Sequence, residues 1–331
     1  MRLLTQFSAL VLALAMATTA WAQACPGSPS PIVSQPLPPP PMGRDLRKLI
    51  APGGTVEKVA GGFLFTEGPV WHPSGQLFFS DIRGNKTYKW NPKEGVTPYR
   101  EPSNKANGLA FDPQGRLVFC EHSGRRLSRL EKDGRIVTVV DRYQGERLSS
   151  PNDLAITPDG SIYFTDPPHN LPKGEAREID FSGVYRLRPN GEMQLIDKEM
   201  DGPNGLAFSP DRKTLYVADT TKQQLWAFDV AADGSASRKR LFAETTPTWE
   251  PGALSRPDGL KTDVRGNVYV AVVETGVWVF DKNGRHLGII PVPEKTANVA
   301  FGDADSRTLY ITASTGLYRI RLKNRGWVVG K

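Results

Sequence analysis

The sequence predicts an all-β fold, a six-bladed β-propeller with four-stranded blades, and three observations carry the prediction. One pattern, a residue with a side-chain oxygen followed by an apolar strand, a Pro/Gly turn and a second apolar strand, recurs six times. Long segments with a 3.6-residue hydrophobic period are absent, so helices should be few and short. The last repeat runs out after its third strand, while an unassigned strand-like stretch, Thr55 to Phe63, stands before the first. That N-terminal strand is expected to pair beside Gly316 to Leu322 and close the ring without a free edge.

In chain order, Arg2 precedes an apolar run from Phe7 to Ala20, and the small residues Ala20, Ala22 and Ala24 follow. This reads as a secretory signal peptide over residues 1–24, and it places the protein in the periplasm or outside the cell. The run is shorter than the ~20 apolar residues of a spanning helix, and no later stretch approaches that length, so no stable membrane span is expected. Cleavage after Ala24 instead of Ala22 would leave Cys25 first, as in a lipoprotein, although Ala22 fits poorly where a leucine is expected. Residues 25–54, with the run Pro38-Pro39-Pro40-Pro41, read as a Pro-rich linker. Residues 55–331 then form one propeller domain, because six copies in one phase do not fit a pair of β-sandwiches.

Cys25 and Cys120 are the only cysteines, one beside the cleavage site and one inside a strand-like run, so no disulfide framework is expected. The formal charge of +7 is spread along the chain. Its densest basic stretch, Arg125 to Arg135, is interrupted by Glu131 and Asp133, which suits a solvated surface better than nucleic-acid binding.

The repeats begin at Glu67, Asn107, Asn152, Asn204, Asp258 and Asn298, in segments such as NGLAFDPQGRLVFCE, NDLAITPDGSIYFTD and DGLKTDVRGNVYVAV. Their spacing, from about forty to the mid-fifties, is the length of one four-stranded blade. Third strands carry aromatic residues or Arg, as in Val184-Tyr185-Arg186-Leu187, and turn dipeptides such as Asp133-Gly134 and Asn190-Gly191 lead to a fourth.

In a propeller the first strand of each blade lines the central channel, so the six starting residues should converge on one mouth. Turn chemistry alone would explain Asn-Gly and Asp-Gly. It does not explain Asn152-Asp153 or Asn298-Val299, where the glycine is gone, nor Glu67, a poor turn former. Two carboxylates with several amide oxygens, and neither thiol nor imidazole, suit a hard divalent cation. Calcium is the first choice, with zinc, magnesium and manganese as alternatives. If only Glu67, Asn152, Asn204 and Asp258 bind directly, two or more of the ~6–8 positions that calcium takes stay open to water or substrate.

These residues resemble the senescence marker protein/gluconolactonase group, itself similar in fold to diisopropylfluorophosphatase and the paraoxonases. The resemblance covers Thr55 to Leu322 and rests on Glu67-Gly68-Pro69-Val70-Trp71, Asn152-Asp153, Pro203-Asn204-Gly205-Leu206 and Pro257-Asp258-Gly259-Leu260. It implies a metal bound by Glu67, Asn152, Asn204 and Asp258, hydrolysis of small-molecule lactones to hydroxy acids, and Asp258 as general base. One departure is Ser150, where animal members carry an arginine. Asp153 matches the family's aspartate and is expected to hold a sugar hydroxyl.

From the residues alone, the chemistry expected is a cation that polarises the lactone carbonyl, with the ion or Asp258 activating the attacking water. No Gly-x-Ser-x-Gly elbow occurs, which argues against a serine hydrolase. Segments just after the second strands should form the rim, which nominates His122 and His169 as acid/base or hydroxyl-binding groups and Asn107 and Asn298 as further substrate-facing residues. Asp81, Glu121, Asp166 and Asp219 recur at the ends of second strands and suit turn capping as well as function. An organophosphate or aryl-ester hydrolase on the same metal, or a non-catalytic binding propeller, are the alternatives. A monomer or small homo-oligomer is expected.

Overall fold

The structure is a computed structural model describing residues 43–247 and 252–327. The expected leader and the first part of the linker, with Cys25, lie outside the described residues.

Six four-stranded antiparallel sheets follow one another. Blade 1 comprises Thr66–His72, Gln76–Asp81, Lys86–Asn91 and Gly95–Arg100; blade 2, Ala106–Phe111, Leu117–Glu121, Arg126–Leu130 and Ile136–Val140. Blade 3 comprises Leu154–Ile156, Ile162–Asp166, Gly183–Leu187 and Met193–Asp197; blade 4, Pro203–Phe208, Thr214–Asp219, Gln224–Val230 and Ala236–Glu244. Blade 5 comprises Pro257–Thr262, Val268–Val272, Gly276–Phe280 and His286–Ile290. Blade 6 takes Thr296–Gly302, Thr308–Ala313 and Gly316–Arg321 from the end of the chain, and its outer strand is Glu57–Gly61 from the beginning. Glu57 lies opposite Arg319 and Gly61 opposite Gly316, the ring closure that the unpaired N-terminal strand required.

Part of the stretch read as linker is built into the fold. A one-turn helix, Arg44–Arg47, buries Leu46 in the core between blades 5 and 6, and Ile50 pairs with Leu322. Pro-rich composition ahead of residue 43 masked these two apolar anchors.

Second strands such as Val268–Val272 are buried at every position because both faces are covered by neighbouring blades, which is why they read as continuous apolar runs. The blades pack face to face. Between blades 4 and 5 the core joins Tyr216 and Leu225 to Leu260, Val270 and Trp278, and across the closure Phe79 and Trp90 meet Ala300, Tyr310 and Leu317.

The recurring acids at second-strand ends hold the chain as it enters each inner strand. Asp81 accepts the N–H groups of Leu64 and Phe65, Asp166 those of Ser149 and Ser150, and Asp219 those of Asp201 and Gly202. Glu121 pairs instead with Arg100, Asn104, Arg126 and Ser128. Capping, one of the two roles open from sequence, is the one these contacts perform. It also fixes where the next residues, the repeat starts, leave the strand.

Candidate active site at the channel mouth

Inner strands contact each other around the ring, Thr296–Gly302 against Thr66–His72 included. Five of them carry a register shift at the repeat start: between Glu67 and Val70, Ala106 and Leu109, Pro203 and Leu206, Pro257 and Leu260, and Thr296 and Asn298. In blade 3 the first strand begins only at Leu154, past Asn152. Such bulges re-aim side chains, here toward the axis.

The register sorts the channel into layers. Glu67, Asn107, Asn152, Asn204 and Asp258 form the first, all nine-tenths or more buried. Blade 6 is one residue out of phase: Thr296 and Val299 stand where Ala106 and Leu109 frame the bulge of blade 2. Ala297 therefore takes the first-layer place, and Asn298 falls where the other blades have Gly68, Gly108, Asp153, Gly205 and Gly259. This corrects the alignment that grouped Asn298 with the five starting residues; the missing glycine after it was the signal.

Glycine in this second layer is explained by close approach. A Cβ on Gly259 would lie 1.9 Å from Asn298 Cγ, and one on Gly205 would lie 2.4 Å from the Asp258 carbonyl oxygen. Neither has a positive φ, so turn chemistry does not account for them.

Asn298 Nδ2 donates to Glu67 Oε2 at 3.0 Å and to Asp153 Oδ2 at 3.3 Å, while its Oδ1 accepts Val299 N–H at 2.8 Å. Its amide is thus engaged within the protein. Asp153 lies in the same deep layer, 2% exposed, with Oδ1 accepting Leu154 N–H, so the structure puts it behind the first layer and away from the rim.

The carboxylates of the site crowd one another electrostatically. Burial pushes the Glu67 carboxyl up to about 7, against a hydrogen bond from its neighbour Gly68 N–H at 2.6 Å, and Asp153 adds repulsion. Burial drives Asp258 well above the usual carboxylate range, with Glu67 and Asp153 adding to the rise and a hydrogen bond from Asn204 opposing it. Asn107 Oδ1, Asn204 Oδ1 and Asp258 Oδ1 are buried without a hydrogen-bond partner. Orphaned acceptors beside crowded carboxylates fit a bound cation. Among the described residues no group of three or more His, Cys, Asp or Glu side chains stands together; the first layer mixes carboxylate and amide oxygens, types that suit a hard ion.

His122 is buried behind the first layer, its Nε2 3.4 Å from Asn107 Nδ2, and burial lowers it to about 3. It stays neutral at physiological pH. His169, in the short 3₁₀ turn Pro168–Asn170, is exposed overall, and partial desolvation of its ring is the main cause that lowers its basicity. The Ser150 hydroxyl donates to Pro167 O at 2.5 Å and accepts Asn170 N–H at 3.2 Å, which pins the turn that carries His169.

Below the second layer comes a third, Val70, Ala110, Ala155, Ala207, Lys261 and Ala300, fixed by their equivalent places opposite the second strands. Sequence reasoning passed over Lys261; its signal was a lysine where every other repeat has a small or apolar residue. Beyond this collar a cavity of 450 Å³ opens toward the far face, walled by residues including Phe111, Ile156, Phe208 and Trp327. Its walls are mostly apolar, with His72, Asp112, Thr157, Lys261 and Thr262 as the polar exceptions.

Residues 65–315 match the family described as SMP-30/Gluconolactonase/LRE-like region. The chain is 33% identical to a gluconolactonase of Zymomonas mobilis over 82% of each chain. It is 28% identical to pentonolactonase XacC of Haloferax volcanii, over 76% of this chain and 81% of that one. A solved gluconolactonase of Xanthomonas campestris superposes with a TM-score of 0.78 at 35% identity, covering 86% of this chain and 95% of that one.

Proposed function

The chain belongs to the SMP-30/gluconolactonase/LRE-like family and is a hydrolase of the lactonase type, and we propose that it opens a sugar lactone of the gluconolactone kind to its hydroxy acid at the channel mouth. What supports this reading is that Glu67, Asn152, Asn204 and Asp258 are all buried at the same place in their repeats, that Asp258 lies close to Glu67 and Asn204, and that Asn204 Oδ1 and Asp258 Oδ1 have no hydrogen-bond partner. These four residues would hold a divalent ion, calcium by preference, and the ion would supply Lewis acidity toward the lactone carbonyl.

The chain's own groups supply the rest. Asp258 Oδ1, free of hydrogen bonds, takes the proton of the attacking water. The ring C–O bond breaks, and the proton is returned to the leaving alkoxide as a hydroxyl. Asn107 Oδ1 is placed to accept a sugar hydroxyl, and neutral His122 behind it fixes the amide's orientation. His169 on the rim meets the outer part of the substrate. Asn298 orients Glu67 and holds Asp153 beneath it. We also propose that residues 1–24 direct export, so that catalysis takes place in the periplasm or outside the cell.

Assay of the purified mature protein on a panel of aldonolactones, with and without chelator, tests the reading. Turnover that chelation abolishes and calcium restores is the expected result. Turnover of aryl esters or phosphotriesters in preference to every lactone would overturn the substrate class, and full activity after exhaustive chelation would overturn the metal.

A further inference from the structure

Lys261 is the one cationic side chain in the collar below the polar layers, where the equivalent residues are Val70, Ala110, Ala155, Ala207 and Ala300. Its Nζ donates to Leu260 O at 2.9 Å and lies 4.0 Å from Asp153 Oδ2, with 29% of the side chain exposed. Arg256, the other cation that acts on this cluster, is already held by Glu274 at 2.6 Å. An ammonium among alanines is costly unless it answers a charge.

The charge that it answers follows from a count. Glu67, Asp153 and Asp258 are three buried carboxylates in two adjacent layers. On the metal reading above, on which this inference rests, a divalent ion offsets two of them, and Glu67 and Asp258 are its ligands. Asp153 is left over, and the cation paired with it among the described residues is Lys261. We propose that Lys261 is a built-in counter-cation: its ammonium neutralises Asp153, so that the channel takes the charge of one divalent ion and no more. It acts through Asp153 and the field at the ligands, and is a positioning residue.

The test compares calcium binding to the chelator-stripped wild type, Lys261→Met, Lys261→Gln and Lys261→Arg by titration calorimetry and equilibrium dialysis, with folding checked by circular dichroism. Either a second bound ion or a first ion bound at least about tenfold tighter is expected in both uncharged variants, because a repelling charge has gone. Lys261→Arg should keep wild-type stoichiometry and affinity. Adding Asp153→Asn to Lys261→Met restores the charge balance and should return binding to the wild-type value, a reversal that loss of packing would not produce. Wild-type stoichiometry and affinity in both uncharged variants would overturn the proposal while leaving the metal reading intact. A wild type that binds no divalent ion would overturn both.

Discussion

Replacing Asn298 by alanine separates the role the structure assigns to this residue from the one its sequence suggests. The substitution deletes the donor 3.0 Å from Glu67 Oε2 and 3.3 Å from Asp153 Oδ2, and leaves Glu67 with the Gly68 N–H alone among its neutral donors. A hydrogen bond to a charged group contributes about 1.5–3 kcal/mol. At about 1.4 kcal/mol per factor of ten, that is on the order of 10–100-fold in the affinity of a ligand that needs Glu67 oriented and ionised. Loss of a partner behind a metal ligand costs about the same, 10–100-fold. Calorimetry should therefore show calcium bound to Asn298→Ala about 10–100-fold more weakly, and lactonase assays at saturating calcium should recover kcat to within a few-fold. A substrate-facing Asn298 would behave differently, with unchanged calcium affinity and a raised KM that metal does not repair. That outcome would refute the reasoning from register and hydrogen bonding.

Three further expectations concern other parts of the site and its frame. Asp258→Asn keeps an oxygen donor but cannot take a proton, so lactonase activity should fall by on the order of 10²–10⁴ and stay low when calcium is raised; full rescue by metal would reduce Asp258 to a ligand. Burial pushes Asp166 up to about 7 against two backbone N–H donors, above the ordinary 3.8. The folded protein therefore keeps this proton between about pH 4 and 7 where the unfolded chain has lost it, and stability falls as pH rises through that window. Urea titrations of the calcium-loaded protein should show a shallower fall in Asp166→Asn, and an unaltered slope would count against the shift. Gly205→Ala places a Cβ 2.4 Å from the Asp258 carbonyl oxygen, and overpacking of this kind costs about 1–3 kcal/mol, so denaturation should move to lower urea with weaker calcium binding alongside. An alanine variant as stable as wild type would show that the inner strands can part.

Much of the architecture was legible because each blade is a local unit. Strands such as Val268–Val272 announce themselves as apolar runs between turn residues, and six copies of one unit require a ring. The leftover strand at the start met the missing strand at the end for the same reason: an open edge must be paired. The polar first layer was legible too, since Glu67, Asn107, Asn152, Asn204 and Asp258 share one place in the repeat, and Glu67 and Asn152-Asp153 do not suit a simple turn. Less visible was the anchoring of Leu46 and Ile50, because a two-residue apolar signal inside a Pro-rich stretch has no period to betray it.

The sequence by itself determined the blade count, from a pattern that repeats about every forty residues or more, and the closure, from a spare strand at one end and a missing strand at the other. Only the tertiary structure decided how deep each side chain sits. Asn298 and Asn107 look alike beside their strands, yet a bulge displaced by one residue carries Asn298 into the layer beneath, where it holds Glu67 and Asp153. Lys261 and Asp153 lie in different blades, and nothing in either repeat foretells the 4.0 Å between them. Depth in the channel and contact across it depend on strand register and on six blades meeting at one axis, and both are properties of the closed ring.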